Sequence, residues 1–179
     1  IMVLDDIDGI KNVLNLAKNT SVKRVFFSSS SEVYGEPVEL PQHEETTPLN
    51  SRVPYAVVKN VGESFFRSFK KQYGLDFTIF RFFNTYGPRM RINDGRVVPN
   101  FLAQALRGEP LTVYNDGKQT RSFQYVSDLV KGVYSLLFSD EVLPVNIGNP
   151  DEITIKEFAE EIVKLTGTTQ KIIYQPLPK

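Results

Sequence analysis

Two short apolar runs, VKRVFFSSS at residues 22–30 and DFTIFRFF at residues 76–83, constrain this chain more than any other feature. Both are rich in β-branched and aromatic residues, the mark of strands buried on both faces of a parallel sheet. Between them, a helical pattern runs from about Tyr55 to Tyr73 and stops at Gly74. Ahead of the first run, Ile7, Ile10, Val13, Leu14 and Ala17 recur at helical spacing and predict a helix over 6–19. Strands alternating with helices form an α/β layered fold. The polar stretch 36–54, rich in Pro, Glu, Thr and Asn, has no periodicity and reads as a long loop.

Past the second run, the residues Asn84–Met90 read as a turn around Gly87-Pro88. Further on, the pattern predicts a helix over Val97–Leu106 stopped by Gly108, a strand at Leu111–Tyr114, and a turn at Asn115-Asp116-Gly117. A helix over Ser127–Ser139, a strand in residues 144–149 and a final strand in residues 171–175 follow. Thr154 with Glu157 three residues on predicts a capping box opening the last helix, to about Leu165. Strands shorten and turns become denser near residue 90. The expected division is therefore a nucleotide-binding layer over 1–90 and a smaller α/β cap over 91–179, interleaved with the sheet.

Composition excludes several functions. Lys+Arg and Asp+Glu are both 21, so there is no basic excess of the kind nucleic-acid and anionic-membrane binders carry. The chain has no cysteine, which removes disulfides and thiol chemistry and fits a reducing, cytoplasmic location. The one histidine, His43, lies in a polar loop with no cluster of metal ligands around it. No apolar run approaches the roughly 20 residues of a membrane span.

Chemistry concentrates at Tyr55-Ala56-Val57-Val58-Lys59. Residues i and i+4 share a helix face, which places a phenol one turn from an ammonium. A free phenol is a poor base at neutral pH, and a nearby cation favours its ionised form. The pair suits removal of a proton from a sugar hydroxyl. Ser30 lies in Phe27-Ser28-Ser29-Ser30-Ser31-Glu32-Val33-Tyr34-Gly35, and Asn84 in Arg81-Phe82-Phe83-Asn84-Thr85-Tyr86-Gly87-Pro88-Arg89. Both segments leave strands at their carboxyl ends, where open α/β sheets bind ligands.

In this combination and order the chain resembles the extended short-chain dehydrogenases, the epimerase/dehydratase group acting on nucleotide sugars. The resemblance implies the C-terminal part of a Rossmann-type doubly wound sheet plus a substrate-binding cap, with NAD as cofactor and no metal. It implies Tyr55 as base, Lys59 on the nicotinamide ribose, and Ser30 on the reacting hydroxyl. Ser28, Phe82 and Thr85 would line the cofactor. Ser31, Asn84, Arg89, Arg96, Tyr114 and Arg121 would bind a UDP-sugar, the arginines through forked bonds to its diphosphate. Helices 6–19 and 55–73 would pair two copies into a homodimer.

Finer motifs narrow the reaction. Asn93–Phe101, Gly108–Tyr114, Gln119–Leu129 and Val145–Pro150 are most similar to UDP-glucuronate decarboxylases. Ser31 stands where the 4,6-dehydratases carry an acid for the departing hydroxyl, so dehydration is disfavoured. With Ser31-Glu32, Glu32 and Arg121 would hold and protonate a decarboxylated intermediate on the way to UDP-xylose. The residues around Tyr55 are closer to those of 4-epimerases, which stand as the alternative, ahead of dehydratases. A fragment that only binds nucleotide or dimerises is the non-enzyme alternative. None of the eleven glycines forms a G-x-G-x-x-G turn, so the phosphate-cradling first βαβ unit is not expected within this chain. The chain accordingly reads as an incomplete enzyme, starting inside one helix and stopping short of the family's last ones. Asp6 replaces an asparagine usual in the family.

Overall fold

In the computed structural model, residues 2–36 and 38–177 are described. The N-terminal helix α1 (Met2–Lys18) starts ahead of the expected residue 6. It leads into β1 (Arg24–Ser30), a 3-10 turn (Ser31–Tyr34), α2 (Pro54–Tyr73) and β2 (Asp76–Phe82). Pro54 opens α2, where a missing N–H costs nothing, and Gly74 closes it in the left-handed conformation. The loop expected at 36–54 carries no helix or strand among its described residues ahead of Pro54, the first residue of α2.

The chain then continues through β3 (Thr85–Tyr86), α3 (Val97–Arg107), β4 (Leu111–Tyr114), β5 (Thr120–Ser122) and β6 (Gln124–Tyr125). After α4 (Val126–Leu137) come β7 (Val145–Ile147), β8 (Glu152–Thr154), α5 (Ile155–Thr166) and β9 (Ile172–Gln175). The capping box at α5 forms as expected: Thr154 Oγ1 accepts from the Glu157 N–H, and the Glu157 carboxylate accepts from the Thr154 N–H. Of the closing residues 176–179, Pro176 and Leu177 are described and lie outside any helix or strand.

The chain divides into two compact units. Unit 1 comprises residues 1–83 and 127–148, unit 2 residues 84–126 and 149–179. The sequence reading puts a boundary near residue 90, with the cap interleaved with the sheet. The chain crosses between units after Phe83, Val126 and Gly148, and β7 returns to pair with β2.

Unit 1 is built on the parallel sheet β1-β2-β7. Side chains alternate across it. Phe27, Phe77 and Ile79 pack with Leu14 and Ala17 of α1 and Phe66 of α2. Phe80 and Ile147 pack with Leu136 of α4, and Phe26, Phe82 and Val133 join them. Helices thus back both faces, which gives the doubly wound arrangement. Gly62 sits where α2 crosses β1, and any Cβ there would overlap the Phe27 ring.

Unit 2 has a core of Phe101, Ala105, Leu111, Val113, Ile155, Ala159 and Ile162 beneath the parallel pair β4-β9. Two features depart from the sequence reading. Part of the turn expected at Asn84–Met90 is the strand β3, parallel to β6, and β5 pairs antiparallel with β8. These two- and three-residue strands are too short to show a period. Their pairing is set by distant residues.

Candidate active site

In unit 1, the end of β1 brings Ser30 next to the turn that carries Ser31 and Glu32. Ser30 is buried and extended, and its Oγ accepts from the Glu32 N–H at 3.2 Å, capping the 3-10 turn. The Glu32 side chain is exposed and Ser31 half-buried. On α2, Tyr55 is 49% exposed while Lys59 is partly buried. The Lys59 Nζ donates to the Ser28 carbonyl at 2.8 Å and stands 5.6 Å from the Tyr55 ring centroid. Burial pushes the Lys59 ammonium below its ordinary pKa, and the negative charge of Asp6 works against that. Ser28, expected at the cofactor, therefore anchors Lys59 through its backbone. Phe82 stacks on Phe80 with centroids 4.7 Å apart, among the side chains facing α4.

Behind these groups lies a polar network that no sequence pattern above singles out. The Ser29 hydroxyl donates to Glu63 Oε1 at 2.6 Å. Arg81 donates to both Glu63 oxygens, at 2.9 and 2.7 Å. Its other nitrogen donates to the Tyr34 hydroxyl at 2.7 Å, and that hydroxyl donates to Asn146 Oδ1 at 2.8 Å. The Arg81 and Glu63 side chains are only 1% and 2% exposed. Burial opposes the Arg81 charge, yet the bonds and attraction of Glu63, with Tyr34, hold its pKa above the ordinary value. For Tyr34, burial outweighs its partners and pushes the phenol up.

Unit 2 holds a cavity of about 290 Å³ lined by Asn84, Thr85, Arg96, Tyr114 and Arg121, five of the expected ligand residues. Val97 and Val98, in the first turn of α3, also line it. That turn has no acidic residue and no side-chain cap. Its amide groups and the positive end of the helix dipole therefore favour an anion. Arg96 bonds to Asp94 at 2.7 Å and Arg121 to its neighbour's carbonyl, Thr120 O, at 2.7 Å. Both side chains are exposed. Arg89, at φ 69°, lines an adjoining hollow with Arg91 and Arg96. The charge of the site is carried by guanidinium groups and helix amides, which suits a diphosphate. A wider cavity of about 930 Å³ between α3 and α5 is rimmed by Asp151, Glu152, Glu157, Glu160 and Glu161, the wrong sign for phosphate. Gln119 and Thr112 also line the smaller cavity. Both lie in motif segments quoted above, but neither residue gave a signal of its own.

The sequence model of the NAD dependent epimerase/dehydratase family matches residues 2–148. The chain belongs to that family. Among curated family members, UDP-glucuronic acid decarboxylase 1 of Danio rerio is 48% identical over 172 residues, covering 94% of this chain and 41% of that protein. A solved UDP-N-acetylglucosamine 4-epimerase from Methanobrevibacter ruminantium M1, in complex with UDP-N-acetylmuramic acid, superposes with TM-score 0.91 at 33% identity. That match covers 97% of this chain and 56% of the epimerase. A UDP-glucuronic acid 4-epimerase from Bacillus cereus, in complex with UDP-glucuronic acid and NAD, gives TM-score 0.85 at 26% identity over 96% of this chain and 54% of its own. The chain spans less than half the length of the curated relatives it matches.

Proposed function

We propose that this chain carries the base of an NAD-dependent decarboxylation of UDP-glucuronate to UDP-xylose, together with the groups that bind the substrate's diphosphate. The observation that carries the choice of reaction is the 48% identity to a UDP-glucuronic acid decarboxylase, against 26–33% for the epimerase structures described above. Ser31 supports it, since a neutral hydroxyl is a poor proton donor to a leaving group and speaks against dehydration.

The residues of unit 1 fit the nicotinamide end of the cofactor. An ammonium has three donors. Lys59 gives one to Ser28 O, which leaves two for a ribose, and Tyr55 is exposed one helical turn away. NAD, when bound, supplies a hydride acceptor and donor for the sugar's C4. Ser30 holds the C4 hydroxyl, and the Tyr55 phenolate removes the proton from its oxygen. The Lys59 charge favours that phenolate. Oxidation at C4 makes the C6 carboxylate a β-keto acid, so the carbon–carbon bond to carbon dioxide breaks with its electron pair drawn into the C4 carbonyl. Glu32, exposed beside Ser30, is the group of unit 1 suited to managing the proton that then enters at C5. In unit 2, Arg96, Arg121 and the α3 amides hold the diphosphate, and Arg89 extends the basic rim.

A 4-epimerase is the second reading, favoured by the TM-score of 0.91 to an epimerase. It uses the same Ser30, Tyr55 and Lys59. We also propose pairing of two copies through α1 and α2, supported by the exposure of Val13, Leu16 and Val57 on those helices. The test of the reaction is to supply the full-length protein with UDP-glucuronate and NAD and read the products by NMR. UDP-xylose and carbon dioxide support the proposal. UDP-galacturonate without carbon dioxide replaces it with the epimerase.

A further inference from the structure

We propose that Glu63, clamped between Ser29 and Arg81, is the positioning residue that fixes the Ser30 end of β1 against the Tyr55–Lys59 turn of α2. The inference deepens the functional reading above and rests on it. Tyr55, Lys59 and Glu63 follow one another at i, i+4 and i+8, one stripe of the helix. From that stripe, two side chains reach consecutive residues of β1: Lys59 bonds the Ser28 carbonyl and Glu63 the Ser29 hydroxyl. Two such bonds prevent α2 from rotating or sliding on the strand, and Ser30 is the next residue along it. Arg81 holds the Glu63 carboxylate from β2. It also bonds Tyr34 at the end of the turn that presents Ser31 and Glu32. One carboxylate thus joins the three pieces that carry Ser30, Glu32 and the Tyr55–Lys59 pair.

A buried ion pair is a weak source of stability, since desolvating both charges offsets most of their attraction. What it supplies here is direction. The forked Arg81–Glu63 contact accepts one geometry, and the lone pairs left on Oε1 select the Ser29 hydroxyl. Asn146 extends the same hold into the long loop: its Oδ1 accepts from the Tyr34 hydroxyl, its Nδ2 donates to Gln42 O and its backbone N–H donates to the Glu44 carboxylate. Catalytic groups set by such contacts lose rate steeply when displaced.

The experiment uses Ser29→Ala, Ser29→Thr and Glu63→Gln in the full-length protein, with steady-state kinetics on UDP-glucuronate and amide hydrogen exchange on residues 54–63. Ser29→Ala leaves the ion pair intact, so it folds even if Glu63→Gln does not. The expected result is a fall in kcat on the order of tenfold for Ser29→Ala, with KM within about twofold and recovery in Ser29→Thr. A kcat unchanged in Ser29→Ala, or a loss that tracks only the unfolded fraction, overturns the proposal. If the wild-type protein turns over no UDP-sugar, the functional reading fails. Exchange then decides the positioning claim alone: faster exchange in the first turns of α2 supports it, and an unchanged pattern overturns it.

Discussion

In unit 1 the side chains proposed to handle the reacting hydroxyl rest on a buried polar network, whereas in unit 2 the guanidinium groups stand in solvent and bond their own neighbours. Lys59 is tied to β1, Ser30 caps the turn beside it, and the Glu63–Arg81 pair lies beneath both. Arg96 and Arg121 bond Asp94 and Thr120, two residues and one residue away. The difference fits the roles proposed for each unit. Proton transfer depends steeply on distance, and buried contacts fix distance. Attraction for a diphosphate is tolerant of position, so long flexible side chains around a fixed helix terminus suffice. Substitutions in unit 1 should therefore change rate, and those in unit 2 affinity.

The strongest way to break this comparison is Tyr55→Phe, which removes the proposed base while keeping the ring. Turnover should fall about 10³-fold, the range for a general base, measured as product formed per enzyme. A loss under about tenfold would remove Tyr55 from that role. Gly62→Ala comes next. Its methyl would press into the Phe27 ring and push α2 off β1, so the unfolding free energy should drop by about 1–3 kcal/mol in denaturant melts. Arg121→Met should raise KM for the UDP-sugar about tenfold and leave kcat nearly unchanged, since it deletes one exposed, charge-assisted contact.

The smallest effect concerns Asp76, where Lys70 foremost, and then Arg24 against the opposing effect of burial, hold the carboxyl below its ordinary pKa of 3.8. Between the lowered folded value and the ordinary one, the unfolded chain binds more protons, so stability rises with pH. The contribution is fully present above 3.8 and is lost as pH falls through the folded value. Asp76→Asn should flatten the acid limb of a stability–pH curve, with its small loss present at pH 7 and vanishing as pH falls below the folded value.

What the sequence made legible was local. The α2 and α5 ends carry their own caps, Gly74 and the Thr154–Glu157 box, and the apolar runs of β1 and β2 are long enough to display their burial. The strands β3, β5, β6 and β8 gave no such signal, because two or three residues hold no period and their partners are distant in sequence. At the site, Tyr55 and Lys59 followed from helical spacing, but the arginines came only from resemblance, since an exposed arginine has no distinctive sequence context. The Glu63–Arg81 pair had a readable sign. Arg81 interrupts an apolar strand, and a buried guanidinium requires an anion, which Glu63 supplies from the Lys59 face of α2.

The most direct measurement is a calorimetric titration of UDP into the full-length protein, its Tyr55→Phe variant and its Arg121→Met variant. The division of labour predicts wild-type affinity for Tyr55→Phe and an approximately tenfold weaker Kd for Arg121→Met. Equal weakening in both variants, or weakening in Tyr55→Phe alone, would contradict it.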